Sequence, residues 1–182
     1  MVTEAKQEIS KEYILSLADE FEEKDGYIDV VKLAEKLNIS IFEKILPDNE
    51  PGYISFDDDD NFFYITVNSN NHLNRKRFTI AHELAHFVLH KEEIKLHKQI
   101  DRMGAKSLKK TEEEKADRLA SEILMPTNSL IRSLSSYGIK KDDTITESII
   151  DKLVKKFNVS KVAMIIRLRR LNQFSVPYIE FF

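Results

Sequence analysis

"TIAHELAHFVLH", residues 79–90, sets a carboxylate between two imidazoles in an otherwise apolar stretch. Thr79, Ile80, Leu84, Ala85, Phe87 and Val88 carry no charge, so the segment reads as a helix built for burial. Burying His82, Glu83 and His86 in it is costly unless they are paired or bind an ion. On a helix, residues four apart share a face, so His82 and His86 can aim two ring nitrogens at one point. Glu83 lies one position on and projects to the flank, where its carboxylate can take a proton from a water but cannot act as a third ligand. His90 continues the four-residue series, but about 12 Å of helical rise separates it from His82, too far for one ion. It reads as a helix-end histidine.

This spacing is the HExxH pattern, in which two imidazoles hold zinc and the glutamate serves as general base. The chain has no cysteine, so any further protein ligand must be His, Asp or Glu. His72 and His97 have no partner at ligand spacing and read as surface residues. Downstream, "EEEKAD" (112–117) supplies candidates. Glu113 and Asp117 share a helix face with Ala116 and Ala120, whose small side chains would allow close approach to the HExxH helix. Glu113 is therefore expected as the third zinc ligand. Asp117 is expected to accept a hydrogen bond from the second ring nitrogen of a zinc histidine. Glu112 and Glu114 point elsewhere. Without the upstream motif the same residues would read as an acidic first turn capped by Thr111.

The frame around this stretch is modest. At 182 residues and 42% hydrophobic, the chain can bury one good core with at most a small appended module. A net charge of −3 demands neither nucleic acid nor a membrane surface as partner. The absence of cysteine, of a signal-like N-terminus and of any apolar run of membrane-spanning length points to a cytoplasmic protein.

Helical periodicity runs through residues 11–24 (with Ser10 as N-cap), 29–39, about 71–90, 111–125, and a last pair around the turn "NVS" with Ser160 as cap. "ISIFEKI", "GYISF" and "FFYITVN" read as three strands, the last two a hairpin. Residues 57–61, four aspartates and an asparagine, lack the pattern of a calcium loop and read as a solvated acidic turn. If "FFYITVN" is the sheet edge nearest the HExxH helix, its backbone at Phe62, Tyr64 and Thr66 could pair with a peptide substrate; a merely structural edge strand is the alternative. Tyr64, Tyr137 and His97 are candidate electrophiles, among which sequence does not choose.

"ITVNS" (65–69), "RFTIAHELAHFVLH" (77–90) and "EEKADRLASEILMP" (113–126), in that order and spacing, resemble the ImmA/IrrE family of HExxH metallopeptidases. The likeness runs from about residue 27 to 172, with "IDVVKLAEKLNI" and "FNVSKVAMIIRLRRLN" similar to the family's N- and C-terminal helices. It departs at Ala85, where many members have glycine, and at Leu119, where many have an aromatic. The resemblance implies an α+β fold: a zincin-like core, mostly helical, with a small three-stranded sheet over the HExxH helix. It implies Zn²⁺ on His82, His86 and Glu113, with Glu83 as base. It also implies regulated cleavage of a helix-turn-helix repressor in the cytoplasm. Residues 1–140 would form the peptidase domain and 141–182 a helical pair with an apolar tail, packed on the core as one unit.

Two competing readings stand beside a peptidase. One is a DNA-binding regulator: the terminal helices resemble helix-turn-helix punctuation, and residues 140–182 hold nine Lys/Arg against five Asp/Glu. Against it, Val162, Ile165, Ile166 and Leu168 read as buried, and Arg167, Arg169 and Arg170 as a solvated face. The other is a metal-dependent anti-repressor that binds its repressor without cutting it.

Overall fold

The structure is a computed structural model and describes residues 9–23, 26–97, 99–101 and 109–177, with residues 99–101 described as backbone. Ser10 accepts from the Tyr13 amide at 3.2 Å and opens α1 (Lys11–Glu20). Asp29 accepts from the amides of Val31 and Lys32 and opens α2 (Val30–Lys36). Asn38, at a φ of 55°, turns the chain into the sheet. The three expected strands are present as β1 (Ile39–Lys44), β2 (Gly52–Asp57) and β3 (Phe62–Asn68). A fourth, β4 (Gln99–Asp101), adds three residues to β2, giving the order β1-β3-β2-β4. The β2–β3 hairpin is antiparallel and turns at the acidic run, where Asp57 accepts from the amides of Asp59 and Asp60.

The order corrects one expectation. β3 is an inner strand, not an edge: β1 pairs with it in parallel from Ile39↔Phe63 to Lys44↔Asn68, and β2 holds its other side. With both backbone rows occupied, Phe62, Tyr64 and Thr66 offer no strand-pairing edge to a peptide. Alternation also points them away from the HExxH helix, because it is Phe63 that meets Phe87, edge-on at 4.8 Å. Phe62 and Tyr64 instead cluster on the outer face, where Tyr64 also packs against Phe42.

The sheet lies on α3 (Leu73–Leu89), the helix that carries the opening motif; it starts at His72 and ends at His90. The expected charged connector contains a short helix, α4 (Lys91–His97), and β4, while residues 102–108 lie outside the described residues. α5 (Lys110–Leu124) packs on the side of α3 away from the sheet, starting at Lys109 rather than at the expected cap Thr111, with the Lys109 amide donating to Glu112 at 3.0 Å. Pro126 ends that run, as its missing N–H requires, and immediately serves as N-cap of a helix that the sequence pattern did not announce, α6 (Thr127–Ser136). α7 (Glu147–Phe157) ends on Asn158 in the left-handed region, and Ser160 caps α8 (Lys161–Leu171) through the Ala163 amide.

One apolar cluster runs from Ile14 in α1 to Leu168 in α8, drawing on both sides of residue 140. Within it two arginines are buried. Arg77 of α3 donates to the carbonyls of Ile28, Phe157 and Asn158 at 2.9, 3.2 and 2.6 Å, so one guanidinium satisfies three carbonyls from two distant parts of the chain. Arg167 is buried rather than solvated: it donates to the Met125 carbonyl at 3.0 Å and to the Thr127 hydroxyl at 2.8 Å, at the junction of α5 and α6. The last helix also differs in its apolar face, since Ile165 and Leu168 are buried but Val162 and Ile166 are 42% and 40% exposed.

Arg77→Met keeps the aliphatic bulk but leaves buried carbonyls without a donor. It should lower stability by about 3 kcal/mol, the scale of stranded buried acceptors. Denaturant titration against the wild-type chain measures it.

Candidate metal centre

α3 is buried on nearly every side over its middle, from Thr79 to Phe87, because the sheet covers one flank and α5 the other. The two helices pack closely, and both carry fully buried small side chains along this stretch: Ala81 and Ala85 on α3, Ala116 and Ala120 on α5. This close approach brings Glu113 over the two imidazoles. The Nε2 atoms of His82 and His86 lie 2.8 Å apart, and the Glu113 carboxylate is 3.3 Å from the first and 3.4 Å from the second. On its other side, His82 Nδ1 meets the Asp117 carboxylate at 2.9 Å.

These positions fit a metal ion. Bonds of about 2.0–2.2 Å in a tetrahedron place neighbouring donor atoms about 3.3–3.5 Å apart. Both carboxylate edges of the triangle match that span, and the nitrogen pair is slightly shorter. Two imidazole nitrogens and one carboxylate, each offering one ligand atom and all within 4.8 Å of one another, form a two-His, one-Glu donor set that suits zinc. Burial alone would raise the pKa of Glu113. The hydrogen bonds and charge of His82 and His86 outweigh it and hold the carboxyl well below the usual carboxylate range, so Glu113 stands ionised.

The sequence expectations for His82, His86, Glu113 and Asp117 thus describe groups that the fold brings together. Glu112 turns back to the Lys109 amide and takes no part. Glu83 is 2% exposed and, with Pro51, Arg75, Phe78, Thr79 and His82, lines a cleft of about 50 Å³, room for at least one water. His90 is buried at the end of α3, its ring 5.5 Å from that of His86; burial and the neighbouring His86 push its pKa down. His72 is an exposed cap that accepts from the Asn74 amide.

Neither tyrosine proposed as an electrophile lines the cleft. The Tyr64 hydroxyl donates to Asp60 on the outer face of the sheet, and Tyr137 ends α6 with Lys152 over its ring. The cation that does line it is Arg75, which sequence reading passed over because one arginine in "HLNRKRF" carries no distinguishing signal. Pro51 was missed as well. It reaches the cleft because Asn68, buried at the end of β3, donates to the carbonyls of Leu46, Pro47 and Glu50 at 3.0–3.1 Å and pins the β1–β2 loop, while its own amide donates to Pro51 at 2.9 Å. Gly52 then packs so tightly that an added Cβ would stand 2.4 Å from the Thr66 carbonyl and 2.7 Å from the Thr79 methyl.

Comparison with known proteins bears on the same residues. The family model for peptidase M78, the IrrE N-terminal-like domain, matches residues 34–169, which include the whole donor set. No curated protein gives a significant match. A solved structure of a Mycobacterium tuberculosis transcriptional regulator is similar in fold, with a TM-score of 0.50 at 15% identity over 85% of this chain and 51% of that one. The chain thus spans about half the length of that regulator.

Purified protein should carry about one zinc per chain, removable by chelator and lost in His86→Ala, as read by metal analysis. Glu113→Gln should weaken zinc binding far more than Glu112→Gln or Glu114→Gln. Asp117→Asn should cost roughly 10- to 100-fold in affinity through the orientation of His82. Equal losses among the three glutamates would overturn the assignment of Glu113.

Proposed function

The chain belongs to the M78 peptidase family of IrrE N-terminal-like domains, and from that premise we propose that it is a zinc-dependent endopeptidase whose substrate is a helix-turn-helix transcriptional repressor. The observation that carries the reading is the placement of Glu83 in the cleft beside His82, on the same helix as two metal donors and outside the donor set. A carboxylate so placed has an evident use in hydrolysis and none in metal binding alone.

Held by His82, His86 and Glu113, zinc would supply Lewis acidity, polarising the scissile carbonyl and making water a stronger nucleophile at neutral pH. Glu83 takes the proton from the attacking water and returns it to the departing amine. Arg75, lining the same cleft, stabilises negative charge that develops on the carbonyl oxygen. Asp117 keeps His82 in the tautomer that turns Nε2 toward the other donors. The repressor as substrate rests on the family resemblance, which links such peptidases to transcriptional control. A cytoplasmic location fits that substrate, and no described helix is long and apolar enough to cross a membrane.

DNA reading by the terminal helices is the weaker alternative. Arg167, central in α8, is committed to Met125 and Thr127, which leaves Arg169 and Arg170 as the exposed cations of its last turn.

Glu83→Gln should keep the fold and zinc content while lowering repressor cleavage by about 10²- to 10⁴-fold, the usual weight of a general base. Gel analysis of a candidate helix-turn-helix repressor incubated with the protein, with and without chelator, reads cleavage; a reporter reads derepression. If Glu83→Gln derepresses fully and neither protein yields fragments, the chain acts by binding the repressor and the hydrolytic reading is wrong.

A further inference from the structure

Phe78 stands one helical turn before His82, its ring stacked over the imidazole at 6.3 Å. It lines the cleft that holds Glu83 and also a cavity of about 280 Å³ bounded by Asp117 and Ser121 of α5 and by Val162, Ala163 and Ile166 of α8. Phe78 is the residue common to both linings. Val162 and Ile166, four apart on α8, are the exposed apolar residues noted above, and they form the wall facing Asp117. Arg170, one further turn along, closes the end of this wall. It is exposed and, among the described residues, has no acidic partner at ion-pair distance; its one hydrogen bond is a long 3.5 Å contact to Ser121. Asp117 lines the same space, but its carboxylate is engaged by His82.

We propose that this groove is the substrate's side-chain subsite. An extended peptide lying across the metal centre places one large aliphatic or aromatic side chain between Phe78, Val162 and Ile166, and an acidic residue beside it reaches Arg170. This rests on the peptidase reading and adds the class of sequence the site selects. Three features commit the occupant to a peptide. The volume lies just below the ~300–1,000 Å³ typical of small-molecule pockets and suits a side chain. The α8 wall is apolar with one cation at its end that has no acidic partner among the described residues, which matches an apolar residue next to an acidic one. The groove also shares Phe78 with the cleft that holds Glu83, where the scissile bond must lie. Val162, Ile166 and Arg170 become specificity-determining residues.

The test uses the full chain loaded with zinc and a pool of random octapeptides blocked at both ends. Immobilised Glu83→Gln protein retains peptides, which are eluted and sequenced by mass spectrometry. Leu, Ile, Met or Phe should be enriched about tenfold, at the low end of what an apolar pocket discriminates, with Asp or Glu nearby. Adding Ile166→Asp should abolish the apolar enrichment, and the milder Ile166→Ala should reduce it with zinc content unchanged. Adding Arg170→Glu should exchange the acidic preference for a basic one. Failure to retain peptides, or the same enrichment with and without Ile166→Asp, overturns the subsite. Wild-type protein incubated with the same pool separates the two readings. Retention with these preferences but no cleavage upholds the groove and refutes hydrolysis. Cleavage whose sequence preference is unmoved by Ile166→Asp upholds hydrolysis and refutes the groove.

Discussion

The close packing of α3 on α5 is the constraint on which the rest of the molecule depends. Two imidazoles four residues apart make half a site on any exposed helix, and the missing donor has to come from a second element at nearly contact distance. Buried alanines on both helices, Ala81 and Ala85 on α3 and Ala116 and Ala120 on α5, suit that distance, because small buried side chains let helix backbones approach closely. A larger residue at any of these positions would move Glu113 away from Nε2 atoms that it now meets at 3.3 and 3.4 Å. The desolvation that makes such a carboxylate costly to bury is offset by the same two histidines, and this interdependence ties the donors into one unit.

Everything around the pair holds it still. The sheet seals the opposite flank of α3, with Phe63 on Phe87 and Gly52 pressed against Thr79. Asn68 gathers the β1–β2 loop by three carbonyls and so brings Pro51 to the wall of the cleft. Arg77 and Arg167 act as brackets at a distance: the first ties the N-terminal half of α3 to the start of α2 and the end of α7, the second ties α8 to the α5–α6 corner. Both use charge to satisfy backbone carbonyls that would otherwise be stranded in the core. Because Arg167 anchors α8 beside α5, the exposed face of α8 becomes the wall of a groove that Asp117 and Phe78 also line.

Much of this was legible in the residues. A four-residue period places His82 and His86 on one face whatever surrounds the helix, and the same period separates Glu113 and Asp117 from Glu112 and Glu114. Alternation and turn residues located β1, β2 and β3, and the caps Ser10 and Ser160 lie where their side chains can accept from the first-turn amides. These are local properties, decided within a turn or a strand.

What the sequence could not decide was pairing between distant parts. Strand order depends on which chain lies alongside which; β1 returns parallel to β3 and makes an inner strand of a segment whose own pattern fits an edge equally well. α6 hid behind Pro126, since one proline both stops a helix and starts the next. Arg167 read as solvated because a cation on a helix normally is, and only the carbonyl of Met125, forty-two residues away, gives it a reason to be buried. Val162 and Ile166 read as core by the same local logic and are left half-open because none of the described elements covers that face of α8. Sequence by itself determined the helix faces and the donor types, since both follow from residue chemistry at short range. Tertiary structure alone decided which faces meet, because contact between segments far apart in the chain is settled by packing over the whole core.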